Sequence, residues 1–298
     1  MKTKKGFTLI ELLVVISIIA LLLSILMPAL GKVKKIAQQT VCLSGLKQHG
    51  IAIMTYANDN KDSFTKGHDG WRPTDFPDWG YGYWMADLKP YRGEDIESLV
   101  CVSAKKANPR YPGTPSGLAM DQFAGWKNYS SAWPYAVPGM PCSGGLLVTP
   151  IPVSYTMSIW ATNPGRGSVL DTTDHTESGL PAPKESFWRK VTNVSTPARV
   201  PIFADGRWLE GLPLSSPAAT INPPATEEAA EKGGNHLYDW GMGQFCVPRH
   251  ASGTNLVFAD FSARKVDLTE LWELKWNRQF DTHNDYATET RPFPDWIK

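Results

Sequence analysis

Residues 7–30 (FTLIELLVVISIIALLLSILMPAL) form an unbroken apolar run of 24 positions with a single charge, Glu11. As a helix rising 1.5 Å per residue the run is roughly 36 Å long, enough to cross a hydrocarbon core of about 30 Å with some tilt. The pattern then changes. From 32 to 57, apolar or small residues recur in steps of three or four, at Val33, Ile36, Ala37, Thr40, Leu43, Leu46, Gly50, Ile53 and Ala57. Lys34, Lys35, Gln38, Gln39, Lys47 and Gln48 occupy much of the other face. One helix is therefore predicted to run out of the apolar segment, roughly 76 Å long if Pro28 and Gly31 leave it intact. Its second half carries a stripe that needs a sheet or loops against it, and His49 is expected on its surface or half-buried.

Beyond residue 60 the periodicity weakens. Short strands are predicted at 99–102, 146–148 and 153–159, and clearer ones at 200–204 and 255–259. The last two echo one another, Ile202-Phe-Ala-Asp-Gly206 against Val257-Phe-Ala-Asp-Phe261, as two strand-to-turn units of an antiparallel sheet would. Residues 213–235, rich in Pro, Ala, Gly and Glu, read as an exposed, mobile loop. The spacing of apolar residues over 268–280 predicts a short amphipathic helix, with Lys275 and Arg278 toward the end where its dipole favours cations. Most of the 24 Pro and 25 Gly fall after residue 65, which argues for a loop-rich body rather than a helix bundle. The expected class is α+β.

Charge enters only at the N-terminus. The whole chain has a formal net charge of +1, so no global field points to nucleic acid. The run is preceded by Lys2, Lys4, Lys5 and Gly6 and followed by Lys32, Lys34 and Lys35, so the distribution of lysines orients it poorly. A secretory signal peptide would have an apolar stretch of about 7–15 residues and a small-residue cleavage site after it, and this run is too long. A plain anchor explains the hydrophobicity but has no use for Glu11, since a carboxylate in an apolar span costs about 2.5–3.5 kcal/mol at a helix centre and less near an end.

The string Lys5-Gly6-Phe7-Thr8-Leu9-Ile10-Glu11 resembles the processing site of type IV prepilins and of the pseudopilins of type II secretion. The resemblance implies cleavage between Gly6 and Phe7 by a prepilin peptidase on the cytoplasmic side, with methylation of the Phe7 amine by the same enzyme. It makes Glu11 the fifth mature residue, available to pair with the Phe7 amine of the same or a neighbouring subunit, as a buried carboxylate requires. Pro28 resembles the helix-bending proline of many pilins, its missing N–H loosening the helix. The implied plan is the pilin lollipop: leader 1–6, transmembrane helix 7–30, amphipathic stalk 31–60, and a loop-rich head 61–298 with the stalk packed on an antiparallel sheet. The implied setting is the bacterial inner membrane, single-pass, with the head in the periplasm or at the cell surface after filament assembly.

Cys42-Leu-Ser-Gly-Leu-Lys-Gln and Tyr56-Ala-Asn-Asp-Asn-Lys-Asp resemble a branch of large pilin-like proteins with an H-X9-DG pattern. His250 and Asp260 match its histidine and aspartate, but Phe261 replaces the glycine, which puts in doubt a turn that needs positive φ there. A structural role for the pair is favoured over catalysis. Asn58, Asp59, Asn60 and Asp62 are oxygen donors that would suit calcium, against a plain helix stop, for which Asn and Asp are the usual residues. No other cofactor is expected. Cys42, Cys101, Cys142 and Cys246 allow three pairings. Cys42–Cys101 with Cys142–Cys246 is preferred over four-cysteine zinc, because no CxxC pair exists.

Phosphate-binding loops, nucleophile elbows and HExxH are absent, and the pairs His68-Asp69 and Asp174-His175 lack ligand spacing, so no enzyme is expected. The leading expectation is a structural subunit, partnered by the prepilin peptidase/methyltransferase, other subunits and the inner membrane. The alternative is a binding module on a pilin stalk, with some of the 12 Trp stacking on sugar rings rather than filling a core.

Overall fold

The computed structural model describes residues 8–67, 84–93, 97–104, 133–136, 150–165, 183–206, 210–215, 221–227, 230 and 241–297. Gly6, Phe7, Cys142, the predicted strand at 146–148, His68-Asp69-Gly70, Asp174-His175, Trp71, Trp79 and Trp126 lie outside them.

A single helix, α1, spans Leu9–Asp59 and passes through Pro28 and Gly31 without losing helical assignment. Proline here forfeits the hydrogen bond its own N–H would make to the carbonyl four residues back, and its ring crowds that carbonyl. Within the apolar run the hydroxyls are satisfied locally, Ser17 Oγ donating to Val14 O (2.8 Å) and Ser24 Oγ to Leu21 O (2.7 Å). A helix is one of the two structures that satisfies every backbone group inside lipid, and these serines add no unmet donor. The chain divides into two compact units, 1–40 and 41–298. In the first, the apolar side chains are exposed, Leu9 at 78% and Ile36 at 63%.

In the second unit, α1 buries Cys42, Leu46, His49, Gly50, Ala52, Ile53, Tyr56 and Ala57. The predicted stripe therefore holds from Leu46 onward, while Val33, Ile36 and Ala37 stay exposed. Its cover is a five-stranded sheet in the order β5-β3-β4-β6-β7, built from β3 (Tyr155–Ser158), β4 (Pro201–Asp205), β5 (Glu210–Gly211), β6 (Gly253–Phe258) and β7 (Ala263–Asp267). The two echoing strands are neighbours and antiparallel, with Phe203 opposite Val257. The sheet is mixed rather than purely antiparallel, because the two-residue β5 runs parallel to β3. A separate hairpin-like pair joins β1 (Trp133–Ala136) to β2 (Pro150–Val153). A second helix, α2, spans Trp84–Arg92.

Contact between α1 and the sheet is close. A Cβ at Gly50 would lie 2.7 Å from Val257 Cγ1, and one at Gly45 would come within 3.3 Å of the Tyr155 hydroxyl. His49, expected near the surface, is instead enclosed by the rings of Trp84, Tyr155 and Phe203. Its Nε2 donates to Ser98 O at 2.8 Å, which lets a histidine sit in an apolar layer.

Three sequence expectations fail. No amphipathic helix forms over 268–280: a 3-10 turn at Thr269–Glu273 gives way to extended chain at Leu274. The N–H groups of Lys275 and Arg278 go to Arg199 O and Ser186 O, so the segment bonds across the molecule instead of along itself. The 213–235 stretch is only partly exposed where described: Leu214, Ile221 and Ala230 are buried, while Ala225, Thr226 and Glu227 are exposed. Its carbonyls accept from indoles: Trp160 Nε1 to Pro213 O (2.7 Å), Trp272 Nε1 to Ile221 O (2.6 Å) and Trp296 Nε1 to Pro224 O (2.9 Å). Indole is a donor without an acceptor and proline's backbone an acceptor without a donor, so a Pro-rich strap and a Trp-rich core satisfy each other. The predicted strand at 99–102 is a 3-10 turn, Glu97–Leu99, followed by irregular chain.

Candidate functional site

The N-terminal end of α1 is closed by its own residues. The Thr8 N–H and Oγ1 each donate to Glu11 Oε2 at 2.8 Å, and the Glu11 N–H reaches back to Thr8 Oγ1 at 3.3 Å. This reciprocal pairing is a capping box, in which Ser/Thr and a Glu three residues on satisfy two orphan N–H groups of a helix start. Glu11 has no use in a plain anchor, and the structure supplies a local one. The signal was legible as T-x-x-E just before an apolar run. Pro28 lies within α1, and both residues belong to the unit whose apolar surface is exposed.

The helix ends where the proposed oxygen donors lie. The N–H groups of Asn60 and Asp62 return to Tyr56 O and Ala57 O, and Asn60 Nδ2 also donates to Tyr56 O. Lys61 and Asp62 take φ of 58° and 60°, the left-handed values that commonly terminate helices. Asn58, Asp59, Asn60 and Asp62 are thus spread along a helix C-terminus and its turn.

Cys42 and Cys101 form a disulfide, Cα–Cα 5.0 Å apart. It joins α1 to the segment after the Glu97–Leu99 turn rather than to a strand. Cys246 is buried. Beside the disulfide lies a buried polar cluster, of which the sequence pattern marks His250 but not Asp205 or Arg249 as members. His250 Nε2 is 3.0 Å from Asp205 Oδ2, and Arg249 Nη1 is 3.8 Å from Asp205 Oδ1. His250 Nε2 also lies 3.4 Å from Cys101 Sγ. Arg249 donates to Ser154 O (2.6 Å) and Gly206 O (2.7 Å), Asn255 N–H to Asp205 Oδ2 (3.2 Å), and Cys101 N–H to Ser154 Oγ (2.6 Å). A buried charge needs such multiple partners. Burial first, and then the Asp205 charge, hold the nearby Tyr155 phenol well above its ordinary pKa.

His250 and Asp260 do not meet. They stand at opposite ends of β6, and exposed Asp260 accepts from the N–H (2.9 Å) and Oγ (2.6 Å) of Ser262 in the β6–β7 turn. Antiparallel pairing explains the exchange: the end of β4, Asp205, lies beside the start of β6, while Ala259 after β6 bonds back to Val200. The histidine therefore takes the aspartate of the echoing strand. Phe261 adopts φ of 61°, so the turn does require a left-handed residue and a phenylalanine supplies it. That costs about 1–2 kcal/mol for a residue with a Cβ. Part of it is offset by the half-buried ring and by Lys47 Nζ donating to Phe261 O at 2.6 Å.

Of the tryptophans whose side chains are described, Trp84, Trp160, Trp188, Trp272 and Trp276 are buried and Trp296 is half-buried against the core. They form packed rings, such as Trp272 against Phe293 at 5.0 Å, and no exposed platform.

Comparison with known proteins adds one match. No curated protein and no solved structure matches the chain. Residues 1–27 match the family model described as the prokaryotic N-terminal methylation motif, a span that takes in the capping box and most of the apolar run of α1. The first 27 residues of this chain are therefore the N-terminal signal of the type IV pilin and pseudopilin family.

Proposed function

We propose that this protein is a structural pilin-like subunit, cut between Gly6 and Phe7, methylated on the Phe7 amine, and assembled through α1 into a type II secretion pseudopilus or type IV pilus-like filament. The observation that carries the reading is the methylation motif at 1–27 lying on a helix whose apolar side chains are exposed. Such a surface needs lipid before assembly and neighbouring helices after it. Before assembly the chain is staged in the inner membrane as a single-pass protein with residues 41–298 on the periplasmic side. Loss of the leader removes three lysines and takes the formal charge from +1 to −2. Glu11 has a capping role in the monomer and in assembly is the group that meets the methylated amine of a neighbour.

Mass spectrometry of the native N-terminus tests this. The expected result is a chain beginning at methylated Phe7; an intact leader, or a start at another residue, overturns it. The sugar-binding alternative draws no support from the tryptophans whose side chains are described, which fill the core.

A further inference from the structure

Cys42, Cys101 and His250 each place a donor atom within 4.8 Å of the other two, and all three residues are buried. The two sulfurs are joined, while His250 Nε2 stands beside Cys101 Sγ at 3.4 Å and Asp205 Oδ2 at 3.0 Å. We infer that, once the disulfide is opened, Cys42, Cys101, His250 and Asp205 form a four-ligand site for one divalent ion of the zinc class, so that the same two cysteines hold either a disulfide or a metal.

The spacing fits. Sulfur and nitrogen bound to one tetrahedral zinc at about 2.3 and 2.05 Å lie about 3.5 Å apart, and nitrogen and oxygen about 3.3 Å apart. The pairs around His250 are within a few tenths of an ångström of those values as they stand. The two sulfurs must separate, from a bonded contact to about 3.7 Å, and Asp205, which is not among the three residues whose donor atoms already lie within 4.8 Å of one another, must close on them.

The donor set also fits. Two thiolates, an imidazole and a carboxylate suit zinc better than calcium or magnesium, which take oxygen ligands. Charge balances in both states. With the disulfide closed, Asp205 faces Arg249 and the pair is neutral. With the metal bound, the ion's two positive charges offset the two thiolates, and Asp205 and Arg249 still offset each other, so the buried cluster stays neutral. The supporting contacts are in place as well: Asn255 N–H holds Asp205 Oδ2, and Ser154 Oγ holds the Cys101 backbone, the kind of outer partner that orients metal ligands.

The chemistry closes. A dithiol reductant gives two electrons and two protons to the Cys42–Cys101 bond and itself becomes a disulfide. The ion then replaces the two thiol protons, which pass to water, the His250 ring proton moves from Nε2 to Nδ1 so that Nε2 can ligate, and the ion's oxidation state does not change.

The test uses the full chain in detergent, purified throughout under a phosphine reductant, with Cys42 and Cys101 first verified as thiols. Titration with Co2+ is expected to give thiolate-to-cobalt charge-transfer bands and tetrahedral visible bands that saturate at one ion per chain and vanish on adding Zn2+. The oxidised chain is expected to give neither. Alkylation followed by peptide mass spectrometry should show Zn2+ shielding Cys42 and Cys101. Cys246→Ser should keep the bands and His250→Gln should lose them. Should His250→Gln fail to fold, the shielding pattern of the unmutated chain still decides. Absence of the bands in verified thiol protein, or shielding confined to Cys142 and Cys246, overturns the inference.

Discussion

Asp205 is the centre of a buried polar cluster in the 41–298 unit. It carries the partners of His250, Arg249 and Asn255 and has no exposure. Asp205→Ala leaves a guanidinium and an imidazole buried without their carboxylate, and is expected to cost about 3–5 kcal/mol. Asp260→Ala removes only an exposed turn contact and is expected to cost about 1 kcal/mol or less. Urea unfolding followed by tryptophan fluorescence checks the contrast; equal losses would mean that the aspartate ten positions after His250 matters as much as the one beside it. Next to Asp205, Gly206 has no room for a methyl group: a Cβ there would meet Thr156 Oγ1 at 1.8 Å and Gln244 O at 2.9 Å. Gly206→Ala should destabilise by about 1–3 kcal/mol in the same assay. The glycine at this echo position is thus required by crowding.

At the scale of elements, α1 has two fates along one continuous helix. Its first part exposes apolar side chains, and its second part buries a stripe that includes His49. Burial, the largest influence, pushes the His49 pKa down from 6.5 to about 4; the Ser98 carbonyl opposes this and the Arg92 charge adds to it. The folded chain therefore holds His49 neutral, while the unfolded chain takes up a proton below about pH 6.5. Unfolding is favoured progressively as pH falls from about 6.5 to 4, by up to about 3 kcal/mol from this group. Above pH 6.5 it contributes no slope. His49→Gln should show a flatter stability profile than the unmutated chain across that window, measured as unfolding midpoint against pH. Parallel profiles would mean that His49 titrates normally in the fold.

For the whole molecule, the decisive question is what covers the exposed apolar helix. Glu11→Gln separates local from assembly roles, because glutamine also serves in a capping box but carries no charge. We expect Glu11→Gln to insert and be processed like the unmutated chain and to be lost from sheared or pelleted filaments. Wild-type filament yield from this variant would remove the charge of Glu11 from the assembly proposal. Glu11→Ala should additionally weaken the first turn, by about 0.5–1 kcal/mol.

What was legible in the sequence was whatever rests on local pattern. Leu9–Asp59 follows from a run and a stripe of helical period, and the two echoing strands from short apolar runs ending in turn chemistry. The methylation motif at 1–27 lies within consecutive residues and needs no fold to be read. The Asp205 cluster was half visible: the echo named both aspartates, but only the antiparallel pairing of β4 and β6 decided which of them His250 meets. The parallel β5, the collapse of the predicted 268–280 helix, and the partial burial of the Pro-rich stretch were decided by tertiary structure. In each, hydrogen-bond partners come from dozens of residues away, as when Trp272 finds Ile221 and Lys275 finds Arg199. Periodicity reports which face of an element is apolar. It is silent about which distant carbonyl an indole or a proline-rich strap requires.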